Sequence, residues 1–159
     1  MKKRMFFDFS YLITLAASFG AVLVLGAIVA AVVFHTDALH VDILIDRYNS
    51  GVIMGEIFLR FSYIVYCLAF FVAVYESAQY KMGQRDRVAL ISAFFVIATS
   101  LMFSTVYVPK ILELQAMGRE ATGSDTFNAL HMGSEIDFKI LAVALVVLFV
   151  RRLMLLRIR

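Results

Sequence analysis

Apolar residues in this chain gather into long blocks instead of alternating with polar ones, and four blocks stand out: residues 9–34, 54–76, 88–109 and 131–151. Blocks of this kind predict helices, because a membrane barrel would need strands of alternating character. About 20 helical residues cross the ~30 Å hydrocarbon core of a bilayer, and each block reaches that length. The expected fold is all-α: a polytopic, four-transmembrane-helix bundle forming a single domain over residues 1–159. The first block follows a basic start, as in a signal peptide. Phe9 to Phe34 exceeds the ~7–15 residues of a signal h-region, so it is expected to remain as anchor and first span.

The connections between blocks carry the orientation. Lys2, Lys3 and Arg4 precede the first span; Lys81, Arg85 and Arg87 fill the second connection; Arg151, Arg152, Arg157 and Arg159 close the chain. Excess Lys and Arg marks the cytoplasmic side, so both termini are expected inside. The other two connections, about 35–53 and 110–130, carry acids (Asp37, Asp42, Asp46, Glu113, Glu120, Asp125) and are expected outside. In the first of them Val41, Leu44, Ile45 and Tyr48 form an i, i+3, i+4, i+7 face, as an interfacial helix would. In the second, Gly123, Ser124 and Asp125 predict a break and then the N-cap of the fourth helix.

Composition strengthens the membrane reading. Of 159 residues 62% are hydrophobic and 17% charged, with one Pro and one Cys. The net charge of +3 is concentrated at helix ends, and no basic face with interleaved aromatics suggests nucleic acid. The implied surroundings are the lipid bilayer as a multi-pass protein, the inner membrane if the chain is bacterial. Cys67 stands alone, so no disulfide forms within the chain. Ala16, Gly20, Ala27 and Ala31 give the first helix a small-residue face, which suits close packing in the bundle or a homo-oligomer contact.

Charges inside the second and fourth blocks are the departure from this pattern. Glu56 and Arg60 are spaced i, i+4, as are His131, Glu135 and Lys139, so each set shares a helix face. Counting ~1.5 Å per residue from Glu76 and from Arg151 puts Arg60 level with Glu135, and Glu56 level with His131. Ionisable groups at such depth usually face the bundle interior or a water-filled cavity. The expectation is a polar site in the outer leaflet between helices two and four, lined by Glu56, Arg60, His131, Glu135, Lys139 and Tyr63. Structural pairing that fixes helix register is the competing reading, since Arg60 and Lys139 can also snorkel to headgroups.

All three histidines, His35, His40 and His131, fall on the expected outer side. With Glu56 they make a candidate metal set, imidazole and carboxylate suiting zinc or copper. No HxxxH, CxxC or Met-rich repeat accompanies them. A bis-His haem would have to use His35 and His131, near the outer surface. No nucleophile arrangement, Gly-rich phosphate loop or catalytic carboxylate pair emerges, which disfavours an enzyme. Three functions follow: binding or transport of a small ligand or copper-like metal ion, a non-catalytic scaffold or subunit, and a haem-binding redox protein.

"GAIVAAVVFHTDALH", "SGVIMGEIFLRFSYIV", "VPKIL" and "FNALHMGSEIDFKIL" resemble the domain of unknown function 4149 family, which includes the transmembrane protein 205-like proteins. The resemblance covers roughly residues 12–150. It rests on the end of helix one, the Gly-Glu-x-Phe-x-Arg-Phe stretch at Gly55–Phe61, Pro109, and the Phe-x-x-Leu-His-x-x-Ser run at Phe127–Ser134. The family is more distantly similar to copper-resistance protein D and HemJ-type membrane proteins. That similarity implies copper transport or haem-linked redox activity, without assigning ligands residue by residue. Glu56, Arg60 and His131 lie inside the family-like motifs.

Overall fold

The computed structural model describes residues 2–36 and 45–157, and all regular structure among them is helical. The first rod is α1 (Lys2–Leu23), a π-helical segment (Val24–Val29) and α2 (Ala30–Phe34). The second is α3 (Arg47–Lys81). The third is α4 (Arg87–Met102), a second π-helical segment (Phe103–Tyr107) and α5 (Val108–Ala116). A single turn, α6 (Arg119–Thr122), leads to α7 (Asp125–Arg157).

Local chemistry sets these boundaries. The Asp46 carboxylate accepts the Asn49 N–H and caps α3; Asp86 does the same for α4 through Ala89. Gly83, at φ +87°, supplies the left-handed residue that ends α3, and Gln84 N–H closes back onto the Gln79 carbonyl. The break expected at 123–125 is present: the Ser124 hydroxyl accepts the Phe127 N–H at 3.2 Å as α7 begins. That helix starts six residues earlier than the block 131–151, because Asp125 to Leu130 is compatible with helix without being apolar. Tyr48 lies within α3 and not in a separate interfacial helix; Val41 and Leu44 lie outside the described residues.

Three of the rods, Met5–Phe34, Arg47–Lys81 and Arg87–Ala116, are long and apolar enough to cross a membrane. The chain is a multi-pass membrane protein. Helix α7 is as long as these but is not among them: Glu135, Asp137 and Lys139 come close before Arg151 and Arg152. It nevertheless supplies much of the core. Leu141, Leu145 and Leu148 recur at i, i+4, i+7 and are fully buried against α1 and α4. Opposite them on α3 stand Phe61, Val65, Leu68 and Val72, and on α4 Ala89, Ala93 and Val96. Farther from Arg152 along α7, Phe138 meets Phe58, Phe61 and Phe103, with ring centroids 5.4–6.0 Å apart.

The packing order corrects one expectation. Helices two and four, α3 and α7, do not pack side by side. Each lies against α1 and α4, and they meet across the core only through long side chains.

Candidate functional site

The core-facing stripe of α3 does not stop at Val72 but continues into Tyr75, Glu76 and Gln79, all buried. The same happens on α1, where Asp8 and Tyr11 precede buried Leu15, and on α7, where Arg152 follows Leu148. These polar side chains meet at one end of the molecule. The Arg152 guanidinium holds the Glu76 carboxylate with both Nε (2.8 Å) and Nη2, and donates from Nη1 to Gln84 Oε1 at 3.0 Å. Tyr11 donates its hydroxyl to the same carboxylate at 2.8 Å. Asp8 accepts from the Tyr75 hydroxyl at 2.6 Å and from Gln79 Nε2 at 3.2 Å. The two tyrosine rings stack at 3.7 Å between centroids, and Arg152 lies over Tyr75.

With side chains only 3% and 5% exposed, Arg152 and Glu76 form a buried ion pair that is further hydrogen-bonded to Gln84 and Tyr11. Such a pair survives burial only when it is satisfied in this way. Just outside it, Arg151 donates from Nε (2.9 Å) and Nη2 to the Asp86 carboxylate that caps α4. The Arg151 hydrogen bonds hold the Asp86 carboxyl down at about 2. One end of the molecule thus ties α1, the α3–α4 connection and α7 together.

The opposite end is tied more simply. Tyr48 donates to the Gln115 carbonyl at 3.1 Å, Gln115 Nε2 to the Gly51 carbonyl at 2.8 Å, and Arg119 to Asp46 at 2.6 Å. The Arg119 hydrogen bond lowers the Asp46 carboxyl below its usual range.

The residues expected to line an outer-leaflet site lie elsewhere on their helices. Arg60 pairs with Glu56 at 2.8 Å, with side chains 78% and 54% exposed. Glu135 pairs with His131 at 3.3 Å and with Lys139 at 3.6 Å. Each set is thus satisfied along its own helix, and no ion pair joins Arg60 to Glu135, although the two were expected at one level. Matching heights left the azimuth open. At 100° per residue, Glu56, Arg60 and Tyr63 sit on the side of α3 opposite Phe58, Phe61 and Val65, and Glu135 and Lys139 are turned well away from Leu141. Reversing the charges at both Arg60 and Glu135 should therefore not restore what either single reversal loses. Expression and thermal midpoints of the Arg60→Glu, Glu135→Arg and double variants check this, with mutual rescue counting against the observed pairing.

Tyr63 lines an open, mostly apolar groove of about 580 Å³ between α1 and α3, together with Thr14, Ser18, Cys67 and Phe71. His35 is exposed at the end of the first rod and donates from Nδ1 to the Ala31 carbonyl at 2.9 Å. His131 stacks on Phe127. His40 lies outside the described residues. Among those described, no three His, Cys, Asp or Glu side chains gather in a way that could hold a metal ion, so the copper or zinc set of His35, His131 and Glu56 is not assembled.

Sequence reasoning passed over the buried network. Glu76 served as a boundary marker and Arg151 and Arg152 as topology signals. The available clue was phase: Tyr75, Glu76 and Gln79 continue the apolar period of α3, as Arg152 continues that of α7.

A family model described as a domain of unknown function (DUF4149) matches residues 13–120. No curated protein and no solved structure matches the chain.

Proposed function

The chain belongs to the DUF4149 family, and from that premise we propose that it is a membrane-embedded subunit that works against a second transmembrane partner. In this reading all four long helices span, with both termini and the α3–α4 connection cytoplasmic. Support for that orientation comes from Arg85, Arg87, Arg151 and Arg152 standing near one end, where the ion-pair network locks the helices.

The observation that carries the proposal is the exposure of charges at depth. With the network at the cytoplasmic boundary, Lys139 stands about 18 Å and Glu135 and Arg60 about 24 Å into a ~30 Å hydrocarbon core. The Lys139 side chain is 76% exposed and that of Arg60 78%. Charges so placed against lipid are costly and normally face protein or water. A partner helix laid over either ridge would remove that cost.

Cysteine cross-linking in native membranes tests it. In a Cys67→Ser background, Lys139→Cys is expected to give an adduct larger than the monomer. A purely monomeric, fully reagent-accessible Lys139→Cys would remove the reading. An adduct formed through Ala16 or Gly20 replaced by cysteine, and not through position 139, would move the contact to a homo-oligomer on the small-residue face of α1.

A second reading, binding of a small ligand between α1 and α3, is favoured by the groove beside Tyr63. Its lining suits an apolar molecule better than a metal ion. Stoichiometric copper or zinc in purified wild-type protein would revive the metal set of His35, His40, His131 and Glu56, and a Soret band would favour haem.

A further inference from the structure

Three buried side-chain oxygens lack a hydrogen-bond partner among the described residues: Gln115 Oε1, Ser100 Oγ and Asp137 Oδ2. Gln115 belongs to the tie at the outer end. The other two are in the interior, on α4 and α7. Asp137 is 8% exposed and Ser100 fully buried.

The antiparallel register of α4 and α7 sets the level of Asp137. Arg151 bonds Asp86 at one end; further along, Phe138 meets Phe103 at 5.4 Å between ring centroids, and a Cβ on Gly133 would lie 3.0 Å from Tyr107 Cε1. Stepping between the last two contacts at equal rise places Asp137 level with Phe103 and Ser104, about one turn outward of Ser100. The Ser104 hydroxyl is already given to the backbone carbonyls of Ser62 and Ser100.

Both π-helical segments also converge there. Phe103–Tyr107 begins at this turn, and Gly26 of Val24–Val29 would bring a Cβ within 3.6 Å of Phe138. Short π segments widen the backbone ladder and occur frequently at functional sites. Two of them, from different rods, flank the residue pair Asp137–Phe138.

No cation shares this level. The first rod carries no Lys, Arg or His between Met5 and Phe34, α3 none between Phe61 and Tyr75, and α4–α5 none between Val88 and Pro109. Asp8 and Glu76 lie at the far end in the network. Arg60 is exposed and paired with Glu56; on α7 itself, Glu135 and Lys139 are exposed and paired together. Tyr107 lies one turn outward, against Gly133. A carboxylate desolvated without a counter-charge is held in its neutral form.

We propose that Asp137 is an intramembrane proton-binding site. The carboxyl, buried and with one oxygen left without a partner among the described residues, carries a proton in the packed state. The proton leaves to water when the helices part at the π segments. This site is independent of the exposed charged ridges and of any partner laid on them.

A hydrophobic carbodiimide, which reacts with protonated carboxyl groups in apolar surroundings, tests the proposal on the full-length protein in membrane vesicles. Peptide mapping by mass spectrometry should find the adduct on Asp137 in clear excess over Glu56 and Glu135 at neutral pH. Labelling should fall as pH is raised and ignore sodium or potassium. Asp137→Asn, which mimics the protonated group, should abolish the adduct and keep the thermal midpoint in detergent. Absence of an Asp137 adduct across the pH series would overturn the proposal. So would its suppression by sodium at constant pH, which would mean a cation site, or a marked loss of stability in Asp137→Asn.

Discussion

Arg152→Ala is expected to destabilise the detergent-solubilised protein by about 3–5 kcal/mol, the range found when one partner of a buried ion pair is removed. The loss exceeds that of an ordinary cation because Arg152 is the only guanidinium donating to Glu76 among the described residues, and the carboxylate side chain is 5% exposed. Without it, Glu76 keeps the Tyr11 hydroxyl as a donor but loses its counter-charge. The stacked pair Tyr11–Tyr75 loses its covering cation at the same time. Thermal unfolding followed by tryptic accessibility or circular dichroism measures the effect. Removing both charges with similar volumes, as in Glu76→Leu with Arg152→Met, is expected to recover much of the loss, since no charge is then stranded. A double variant as unstable as Arg152→Ala would mean that the network acts through its hydrogen bonds to Tyr11 and Gln84 more than through its charges.

Asp86→Ala is expected to cost about 2 kcal/mol, of which roughly half is a lost N-cap. The remainder is the two-pronged contact with Arg151, half-buried and therefore worth more than a surface pair. Its pH dependence has a definite sign. Asp86 falls from an ordinary 3.8 to about 2 in the folded protein, so the unfolded chain takes up its proton first as pH drops. The stabilisation is fully present above pH 3.8 and is lost as pH falls toward 2. Melting curves of wild type and Asp86→Ala should accordingly converge across that window and stay parallel above it. A gap that persists at pH 2 would assign the contribution to something other than the carboxylate.

Fold class was legible because a bilayer demands long apolar blocks, and those of the first three rods correspond to helices with little ambiguity. The fourth was harder. Its charges were read as a polar site, whereas its role in the core is carried by Leu141, Leu145 and Leu148 between them. Height along a helix could be counted from sequence, and Glu56, Arg60, Glu135 and Lys139 were placed by it. The neighbours of α3 and α7 could not be counted in this way, and both helices pack on α1 and α4 before each other. The network at Glu76 was legible in principle, as polar residues in phase with an apolar stripe. It was obscured because the same residues sit where topology signals are sought. Asp137 falls between Glu135 and Lys139 in the sequence, yet of the three only it is buried.

The ion-pair network also bears on how the protein is made. Its carboxylates, Asp8, Glu76 and Asp86, emerge from the ribosome well before α7 brings Arg151 and Arg152. Three apolar helices can enter the bilayer in turn, yet Glu76 has no counter-charge until the last helix is in place. Early pairing of α3 with α4 is therefore provisional, and α7 must be made before the core can close. Synthesis order and packing order differ here, which gives membrane quality-control machinery a buried, uncompensated carboxylate by which to recognise an unfinished chain.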